Sequence, residues 1–447
     1  MVARTDEKTI GDKTRKRLQD FWKPYEYLII DEISMISKKF LVQIERNISI
    51  GKACGTDVTR GSFGGMSVIV CGDFHQFPPV ATSPKQALFH ASLANDDILM
   101  QIGRTLYEEF TTVVILKKQM RVKDPVWQDF LSALRHGEVD MDHIRMLRTL
   151  VLGHELCPMT NFENEPWSCS KLITPRHVVR EQWNHSAIQK HCVKTKNVLY
   201  LCNAEDSIRG DPLTPAETYA LLSGKNGGNG YKRGTNKGLP TQIELALGMS
   251  VLITENIDTN LDITNGARGE IVGIVLHPNE NVTPGAASGS AIQVLEYLPA
   301  YILVRMDRTR SGNLDGLEKG VVPVVPSSQK IYIKAVIDGI EKPRTVLRRQ
   351  FPITPSYAFT DYRSQGQTIN CAIVDLGKLA TGTISLFNIY VALGRVPSRD
   401  SIRLLRDFQD DCLLNKSMPI ELDQEDDRLE ILNHESLIRY ETVSGLP

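Results

Sequence analysis

The stretch YLIIDEIS, at residues 27–34, decides the fold class of this 447-residue chain. Four residues that suit a β-strand run directly into two carboxylates, Asp31 and Glu32. A second stretch, SVIVCGDFHQFPP at residues 67–79, repeats the form, because an apolar strand leads into a polar segment and a proline pair that stops it. In an open parallel sheet, ligands bind beyond the carboxyl ends of the strands. The two stretches therefore predict an α/β fold with a ligand site at one edge of a parallel sheet.

The polar residues at these strand ends favour nucleotide hydrolysis. Asp31 can hold Mg²⁺ through water, and Glu32 can orient or deprotonate an attacking water. Asp73 and Gln76 follow the second strand, where the amide is placed to sense a γ-phosphate. The Asp-Glu pair alone also fits a strand that simply reaches solvent, and the second strand makes that interpretation less favourable.

The composition bounds the class of protein. Lys and Arg number 52 against 53 Asp and Glu, a net charge of −1, so any nucleic-acid surface must be local. Hydrophobic residues make up 41% of the chain, which is enough to bury cores, and the length allows roughly three domains.

Membrane and disulfide classes are disfavoured. No apolar run approaches the ~20 residues that cross a bilayer, and the N-terminal residues are charged. We expect an intracellular chain without membrane contact, in the nucleus or mitochondrion rather than the cytoplasm if the source is eukaryotic. The 8 cysteines include no Cys-x-x-Cys pair, which favours free thiols in a reducing compartment over a zinc or disulfide framework.

Strand and helix signals alternate up to about residue 152 and resume after residue 351. Short strands with turn signals lie between and indicate a small β-barrel. The Gly- and Asn-rich residues 223–239 predict a mobile loop, and the acidic residues 421–439 predict a solvated helix. The predicted strands are 27–31, 67–71, 112–116, 250–254, 269–275, 291–296, 301–306, 330–337, 345–350 and 372–376, and the main predicted helices are 34–48, 125–135, 141–150, 176–191, 215–222 and 385–393.

Three further clusters bear on chemistry. Arg121 follows a predicted strand, where a guanidinium could clamp phosphate oxygens, and RSQGQT at 363–368 gathers hydroxyls and amides around a glycine. YVALGRV at 390–396 ends a helix with Arg395. Each cluster alone also fits a surface ion pair, a polar turn or a charge favourable to the helix dipole.

The order of the clusters is more specific than any one of them. Asp-Glu, Gly-Asp-x-x-Gln-x-Pro-Pro, the Arg after a strand, Ser-Gln-Gly-Gln-Thr and Val-Ala-Leu-x-Arg resemble motifs II to VI of superfamily-one helicases. The chain most resembles the petite-integration-frequency (PIF) family, of superfamily one B, and the related helicase modules of Helitron-type transposons. The stretches FLSALRHG at 130–137, LGMSVL at 247–252 and TNGARG at 264–269 occur in family order, so the resemblance covers about residues 14–408.

The resemblance implies two RecA-like parallel-sheet domains that bind ATP in their cleft and DNA across their tops, with an inserted SH3-like β-barrel. The corresponding boundaries are 1–138 for a first domain, truncated at its N-terminus, with motifs II to IV, and 139–266 for the first part of the second domain. The barrel spans 267–350, and 351–447 holds motifs V and VI with an acidic tail.

The resemblance also implies roles for single residues. Asp31 coordinates Mg²⁺, Glu32 activates water and Gln76 senses the γ-phosphate of ATP. Arg121 and Arg395 stabilise the transferring phosphoryl charge. Nucleotide binding is shared by two further residues, Gln365 and Gly366.

DNA contacts are implied on both sides of the inserted barrel, including part of a basic patch that also holds Lys342 and Arg344. The partners would be single-stranded DNA and duplex junctions, with a monomer as the default state. The predicted DNA-binding residues are His75, Pro78, Asn265, Ser364, Gln365, Thr368, Arg348 and Arg349.

One family motif has no counterpart. A Gly-x-x-x-x-Gly-Lys-Ser/Thr phosphate loop should precede Asp31, and GDKT at 11–14 lacks both the leading glycine and the Gly-Lys junction. We therefore expect that Met1 is not the ancestral start and that the chain is a truncated product or partial gene model of a longer helicase.

Three functions stay open at this point. The first is an ATP-dependent DNA helicase that translocates 5′ to 3′, in repair, recombination, telomere maintenance or transposition. The second is a DNA-binding remnant that does not turn over ATP. The third, a metal-dependent nuclease built on Asp31, Glu32 and Asp73, leaves Gln76 and the arginines unexplained.

Overall fold

The structure is a computed structural model. It falls into two compact units, unit one (Met1–Asn161 with Ser364–Pro447) and unit two (Phe162–Arg363). The predicted loop 223–239 lies almost entirely outside the described residues. The described residues are 10–53, 61–80, 82–93, 95–223, 238–280, 292–312, 314–337, 339–378, 384–414 and 416–444.

The predicted helices are present with shifted bounds, 34–48 being observed at Lys38–Lys52, and the sequence analysis missed Asp12–Trp22 and Ile98–Glu108. In chain order, the α-helices of the described residues are α1 (Asp12–Trp22), α2 (Lys38–Lys52), α3 (Ile98–Glu108), α4 (Pro125–His136), α5 (Met141–Arg148), α6 (His177–Thr195), α7 (Pro215–Ser223), α8 (Asp361–Ser364), α9 (Leu386–Leu393) and α10 (Ile420–Ser444).

The strands concentrate in unit two. In chain order, those of the described residues are β1 (Tyr27–Ile30), β2 (Ser67–Val70), β3 (Lys171–Ile173), β4 (Leu199–Asn203), β5 (Glu205–Ile208), β6 (Asp211–Pro212), β7 (Gln242–Leu245), β8 (Ser250–Ile253), β9 (Arg268–Val275), β10 (Ile292–Leu295), β11 (Tyr301–Met306), β12 (Val321–Val324), β13 (Ser327–Ile337), β14 (Ile340–Gln350), β15 (Ile353–Pro355), β16 (Ala358–Phe359), β17 (Ala372–Val374) and β18 (Ile402–Leu404).

Parallel strands carry the polar strand ends of unit one. β1 pairs with β2 in parallel, with Tyr27 opposite Ser67 and Ile30 opposite Val70, and β17 pairs in parallel with β18. The predicted α/β class is confirmed. The carboxyl ends of β1 and β2 lie side by side, as the sequence predicts.

Helix α4 shows how the sequence sets element boundaries. The Asp124 side chain accepts hydrogen bonds from the backbone N–H groups of the first turn, and Gly137 ends the helix at φ 74°, a left-handed conformation that favours glycine. Trp127, Phe130 and Leu134 are fully buried. Because these three residues share one helix face, α4 forms part of the core of unit one.

The strand predicted at residues 112–116 is wrong. The segment has no strand partner among the described residues, and its backbone N–H groups at Val113 and Ile115 donate to Ser436 Oγ at 2.9 Å and Asn433 Oδ1 at 3.0 Å. Side chains of α10 therefore take the place of a neighbouring strand. The consecutive β-branched residues at 111–115 are typical of a strand and give no sign of this helical partner.

Helix α10 occupies the predicted acidic region and has a buried side. Glu425 is 2% exposed and accepts hydrogen bonds from the Tyr107 hydroxyl at 2.7 Å and from Arg104 at 3.2 Å. The prediction of a solvated helix is correct for the helix and wrong for this face. Among the described residues, none of the helices has the length and apolar character to span a membrane.

The short strands of unit two form several sheets. One has the order β12-β11-β9-β8-β15, a second β13-β14-β5-β6 and a third β10-β4-β7. The strands predicted to form one small barrel are thus divided among three sheets, and the long β13–β14 hairpin pairs with β5, outside the predicted barrel boundaries. The SH3-like character of this region stays a prediction.

Candidate nucleotide site

The acidic pair sits at a tight junction after β1. Asp31 is exposed, and its Oδ1 accepts the backbone N–H of Glu32 at 2.8 Å. Ile33 donates its N–H to the carbonyl of Cys71 at 2.9 Å, and a Cβ on Gly72 would lie 2.8 Å from that nitrogen. The close approach requires glycine after β2 and fixes the two strand ends against each other.

Glu32 has a left-handed backbone, with φ 54° and ψ 46°. This region is uncommon for a residue with a Cβ, and such residues concentrate at functional sites. The Glu32 carboxylate accepts a hydrogen bond from Gln365 Nε2 at 2.7 Å. A Cβ on Gly366 would lie 3.4 Å from Glu32 Oε1, so motif V reaches the acidic pair along its backbone as well.

Two arginines lie on the other side of the site. Arg395 is 3% exposed, donates Nε–H to the Val391 carbonyl at 2.8 Å and reaches Gln76 Oε1 at 3.4 Å. Arg121 donates to Thr368 Oγ1 at 3.1 Å and to the Gly394 carbonyl at 3.0 Å. In the part of the chain that the structure describes, neither guanidinium has a carboxylate within ion-pair distance.

The positive charges of Arg121 and Arg395 repel each other. Burial and then the charge of Arg121 lower the pKa of Arg395 to about 10, while Glu32 acts in the opposite direction. Arg395 stays protonated at neutral pH. Two neighbouring cations without a carboxylate partner form a place that favours an anion.

Sequence reasoning missed Arg135, which organises the segment after β2. Its guanidinium pairs with Asp73, whose other oxygen, Oδ2, lies 3.4 Å from Gln76 Nε2. Burial alone would lower the pKa of Arg135, but Asp73 and then Tyr390 raise it. Arg135 lies in the FLSALRHG stretch at 130–137, and this motif was the signal that could have pointed to a role for Arg135. Because Asp73 is held by Arg135, the nuclease interpretation loses one of its three carboxylates.

These residues fit a magnesium nucleotide. Asp31 is an exposed carboxylate at a strand end, which suits Mg²⁺ held through water. Arg121 and Arg395 supply positive charge without carboxylate partners among the described residues, and Gln365 Oε1 is buried with no hydrogen-bond partner, so it can accept one more. The predicted nucleotide residues Asp31, Glu32, Gln76, Arg121, Gln365, Gly366 and Arg395 all belong to unit one.

The predicted DNA-binding residues of unit one differ in their exposure to solvent. His75 and Ser364 are each 0% exposed, so neither side chain faces solvent in this structure, and their DNA contacts stay predictions. His75 is buried because its partner, Asp426, lies on α10, 2.7 Å from its Nε2. Pro78 is half-buried, and Thr368 is exposed beside Arg121.

The predicted basic patch of unit two is largely neutralised. Arg348 is 6% exposed and donates two hydrogen bonds to Asp206, both at 2.8 Å, which contradicts its predicted place on the surface. Arg349 is exposed and pairs with Glu205 at 2.7 Å. Asn265 is exposed at a turn, where its N–H donates to Asn256 Oδ1 at 2.9 Å. Side-chain pairing across the β5–β14 register accounts for the lost cationic surface.

Comparison with known proteins relates the chain to one group. Residues 2–142 match the family model described as PIF1-like helicase. The chain is 23% identical over 403 residues to the ATP-dependent DNA helicase PIF1 of Xenopus laevis, across 89% of this chain and 49% of that protein. It is 26% identical over 390 residues to the ATP-dependent DNA helicase Pif1 of Bdellovibrio bacteriovorus, across 87% of this chain and 68% of that protein. The chain spans about half the length of the vertebrate relatives it matches.

Solved structures share the fold. The crystal structure of Pif1 helicase from Candida albicans matches with a TM-score of 0.56 at 21% identity, over 93% of this chain and 79% of that one. The Pif1 helicase from Bacteroides in complex with ADP-AlF3 and ssDNA matches with a TM-score of 0.57 at 18% identity, over 95% of this chain and 79% of that one.

The fold and the site together define a class of protein. Parallel strands that end in an Asp-Glu pair and an Asp-x-x-Gln segment, with glutamine and arginine from later motifs beside them, are the mark of a RecA-like superfamily-one helicase module. Residues 2–142 are similar to the PIF1-like helicase family, and 87–89% of the chain is similar to proteins named ATP-dependent DNA helicase PIF1 or Pif1.

Proposed function

We propose that this chain is the motor part of an ATP-dependent DNA helicase that translocates 5′ to 3′ on single-stranded DNA. The hydrogen bond from Gln365 to Glu32 carries the proposal, because it connects the acidic pair to motif V, the segment with predicted DNA contacts. Support comes from relatives named ATP-dependent DNA helicases and from a related fold solved with ADP-AlF3 and ssDNA.

The chain's own residues divide the chemistry. Bound MgATP would supply the phosphoryl group whose transfer to water releases energy. Asp31 would hold the metal, and Glu32 would orient the attacking water and take its proton, since its carboxylate is fixed by Gln365. Arg121 and Arg395 would offset the charge that builds on the phosphoryl oxygens. Gln76, between Asp73 and Arg395, would report the state of the nucleotide to the neighbouring segment.

The remaining assignments are parts of the same proposal. Single-stranded DNA and duplex junctions would be the partners, with Thr368 and Asn265 as exposed contacts. The four-part division at residues 138, 266 and 350 applies to the family's RecA-like and SH3-like domains. A nuclear or mitochondrial site of action and roles in repair, recombination, telomere maintenance or transposition follow from the family alone.

DNA-stimulated ATP hydrolysis by the purified 447-residue chain tests the proposal. We expect Mg²⁺-dependent turnover that Glu32→Gln reduces by at least about 100-fold, while DNA binding persists. Glu109→Gln is the matched control, because it makes the same change at an exposed position of unit one.

Two other outcomes would replace the proposal. Salt-sensitive binding of single-stranded DNA with no ATP turnover would leave a DNA-binding remnant as the function. Cleavage of DNA in Mg²⁺ without ATP would support the nuclease.

A further inference from the structure

A cluster of two histidines and a carboxylate lies behind the nucleotide site. His75 comes from the segment after β2, His136 from the last turn of α4, and Asp426 from the second turn of α10. One potential ligand atom from each lies within 4.8 Å of the others. The three side chains are contributed by segments far apart in the sequence, all within unit one.

The contacts of the His75 ring limit what can lie between it and Asp426. Its ring is 0% exposed, with Nδ1 2.7 Å from the Arg135 carbonyl oxygen and Nε2 2.7 Å from Asp426 Oδ2. A carbonyl oxygen only accepts, so Nδ1 carries a proton. In a neutral ring, Nε2 then presents a lone pair to a carboxylate, and these two atoms repel each other. Either a proton, on the ring or on the carboxyl group, or a metal ion must therefore lie between them.

The orientation of His75 is the one that metal-binding histidines use. Such a histidine donates its other ring N–H to a backbone carbonyl or carboxylate, which fixes the tautomer and directs the free nitrogen at the metal. Asp426 Oδ2 lies 2.7 Å from that free nitrogen, so a carboxylate oxygen already stands beside the place where a metal would bind.

His136 distinguishes the two possibilities. A protonated His75 is satisfied by Asp426 and the Arg135 carbonyl and has no need of a second imidazole. The ring of His136 nevertheless lies 5.3 Å from that of His75, centroid to centroid, at an interplanar angle of 68°. His136 is exposed and Asp426 is half-buried, so an ion can enter from solvent and keep a water ligand.

We propose that His75, His136 and Asp426 bind one divalent transition-metal ion, and that Zn²⁺ fits this donor set best. Two imidazoles and one carboxylate with a water in the fourth position are a common zinc arrangement. Bond lengths of about 2.0–2.2 Å put tetrahedral ligand atoms about 3.3 Å apart. Metal binding therefore requires His75 Nε2 and Asp426 Oδ2 to separate from 2.7 Å, while the exposed His136 adjusts within a cluster whose ligand atoms lie within 4.8 Å of one another. The ion would join the segment between β2 and Pro79 to α10, next to Gln76 and apart from Asp31.

Metal binding by the intact, tag-free chain tests this proposal independently of helicase activity. After treatment with a chelator and its removal, the chain is titrated calorimetrically with ZnCl₂ in excess Mg²⁺, which occupies oxygen-ligand sites such as Asp31. We expect one Zn²⁺ per chain with a micromolar or lower Kd and a higher Tm. Co²⁺ should give the visible absorption of a tetrahedral site.

Variants of the exposed ligands complete the test. His136→Ala and Asp426→Asn should each weaken Zn²⁺ binding at least tenfold, and His136→Ala should leave the Tm of the metal-free chain nearly unchanged. His434→Ala, an exposed histidine on α10, is the matched control and should bind like the wild type. Zn²⁺ binding that His136→Ala leaves intact, or no binding at micromolar Zn²⁺, would overturn the proposal and leave a His75–Asp426 ion pair.

Discussion

The side-chain amide of Gln365 donates a hydrogen bond to the Glu32 carboxylate at 2.7 Å, across 333 residues of sequence. The contact joins motif V to the strand end after β1. It also holds one oxygen of a carboxylate whose backbone is already fixed in a left-handed conformation. A carboxylate held by its own backbone and by a second motif is pre-organised for one orientation.

Gln365→Ala should lower the kcat for DNA-stimulated ATP hydrolysis by about 10- to 100-fold, because Glu32 loses the group that orients it. Gln365→Glu should be worse, since it places a second carboxylate against Glu32 and favours its protonation. Steady-state kinetics measure both effects. Asn370→Ala, at an exposed position five residues away, is the control, and an equal loss there would count against a specific role for Gln365.

Arg121→Ala should reduce turnover by about 1000-fold with little change in Tm. Among the described residues, the guanidinium donates hydrogen bonds to one hydroxyl and one carbonyl. Its loss therefore removes charge rather than core packing. Arg121→Lys should not restore the rate, because an ammonium lacks the planar fork. Arg145→Ala, which removes an exposed arginine of α5, should leave the rate unchanged.

Glu425→Ala should destabilise unit one by about 3–5 kcal/mol. The substitution leaves Arg104 and the Tyr107 hydroxyl buried without their shared acceptor, and burial, followed by Glu425, raises the pKa of that hydroxyl far above its usual value. Hydrogen exchange of α3 and α10 measures the loss. Glu430→Ala on the same helix breaks an exposed pair with Lys117 and should cost about 0–1 kcal/mol, so equal effects would refute the distinction.

Lys171→Met should stabilise unit two at pH 7 by on the order of 1 kcal/mol. Burial and then the charge of Arg268 lower the pKa of Lys171 to about 8 in the folded state, against 10.5 for a solvated lysine. Between these values the unfolded chain binds more protons, so wild-type stability rises with pH and the advantage of the variant shrinks. Urea unfolding from pH 7 to 10.5 measures this trend, and Lys190→Met should show no such pH dependence.

Arg348→Ala should destabilise the β13–β14 hairpin by about 3 kcal/mol, since Asp206 would be left without its bidentate partner. The salt dependence of single-stranded DNA binding should hardly change. Lys330→Ala, at an exposed position of β13, is the comparison and should lower that salt slope by about 1 if the hairpin contacts DNA. A changed slope in Arg348→Ala with normal stability would restore its predicted DNA contact.

Local sequence predicted what depends on local chemistry. The strands that end before Asp31 and near Cys71 and the helix that begins at Pro125 were all predicted, because each is set by its own run of residues. The left-handed backbone of Glu32 had no signal, because glutamate rarely adopts it.

The errors share one cause, which is a partner distant in the sequence. The ring of His75 lies 2.7 Å from Asp426, the backbone N–H of Val113 donates to Ser436, and the guanidinium of Arg348 pairs with Asp206. In the sequence each of the three residues looks exposed or ready to join a strand. Its partner in a distant segment is visible only in the folded structure. Pairing across more than a hundred residues leaves no periodicity to detect.

The dependence of unit one on α10 has a consequence for synthesis on the ribosome. Tyr107 and its acceptor Glu425 are 318 residues apart, and the whole of unit two is made between them. At typical elongation rates this separation lasts roughly 15–60 s. During that time Arg104 and Tyr107 lack Glu425 and His75 lacks Asp426, so these buried contacts of unit one can form only after α10 has been synthesised.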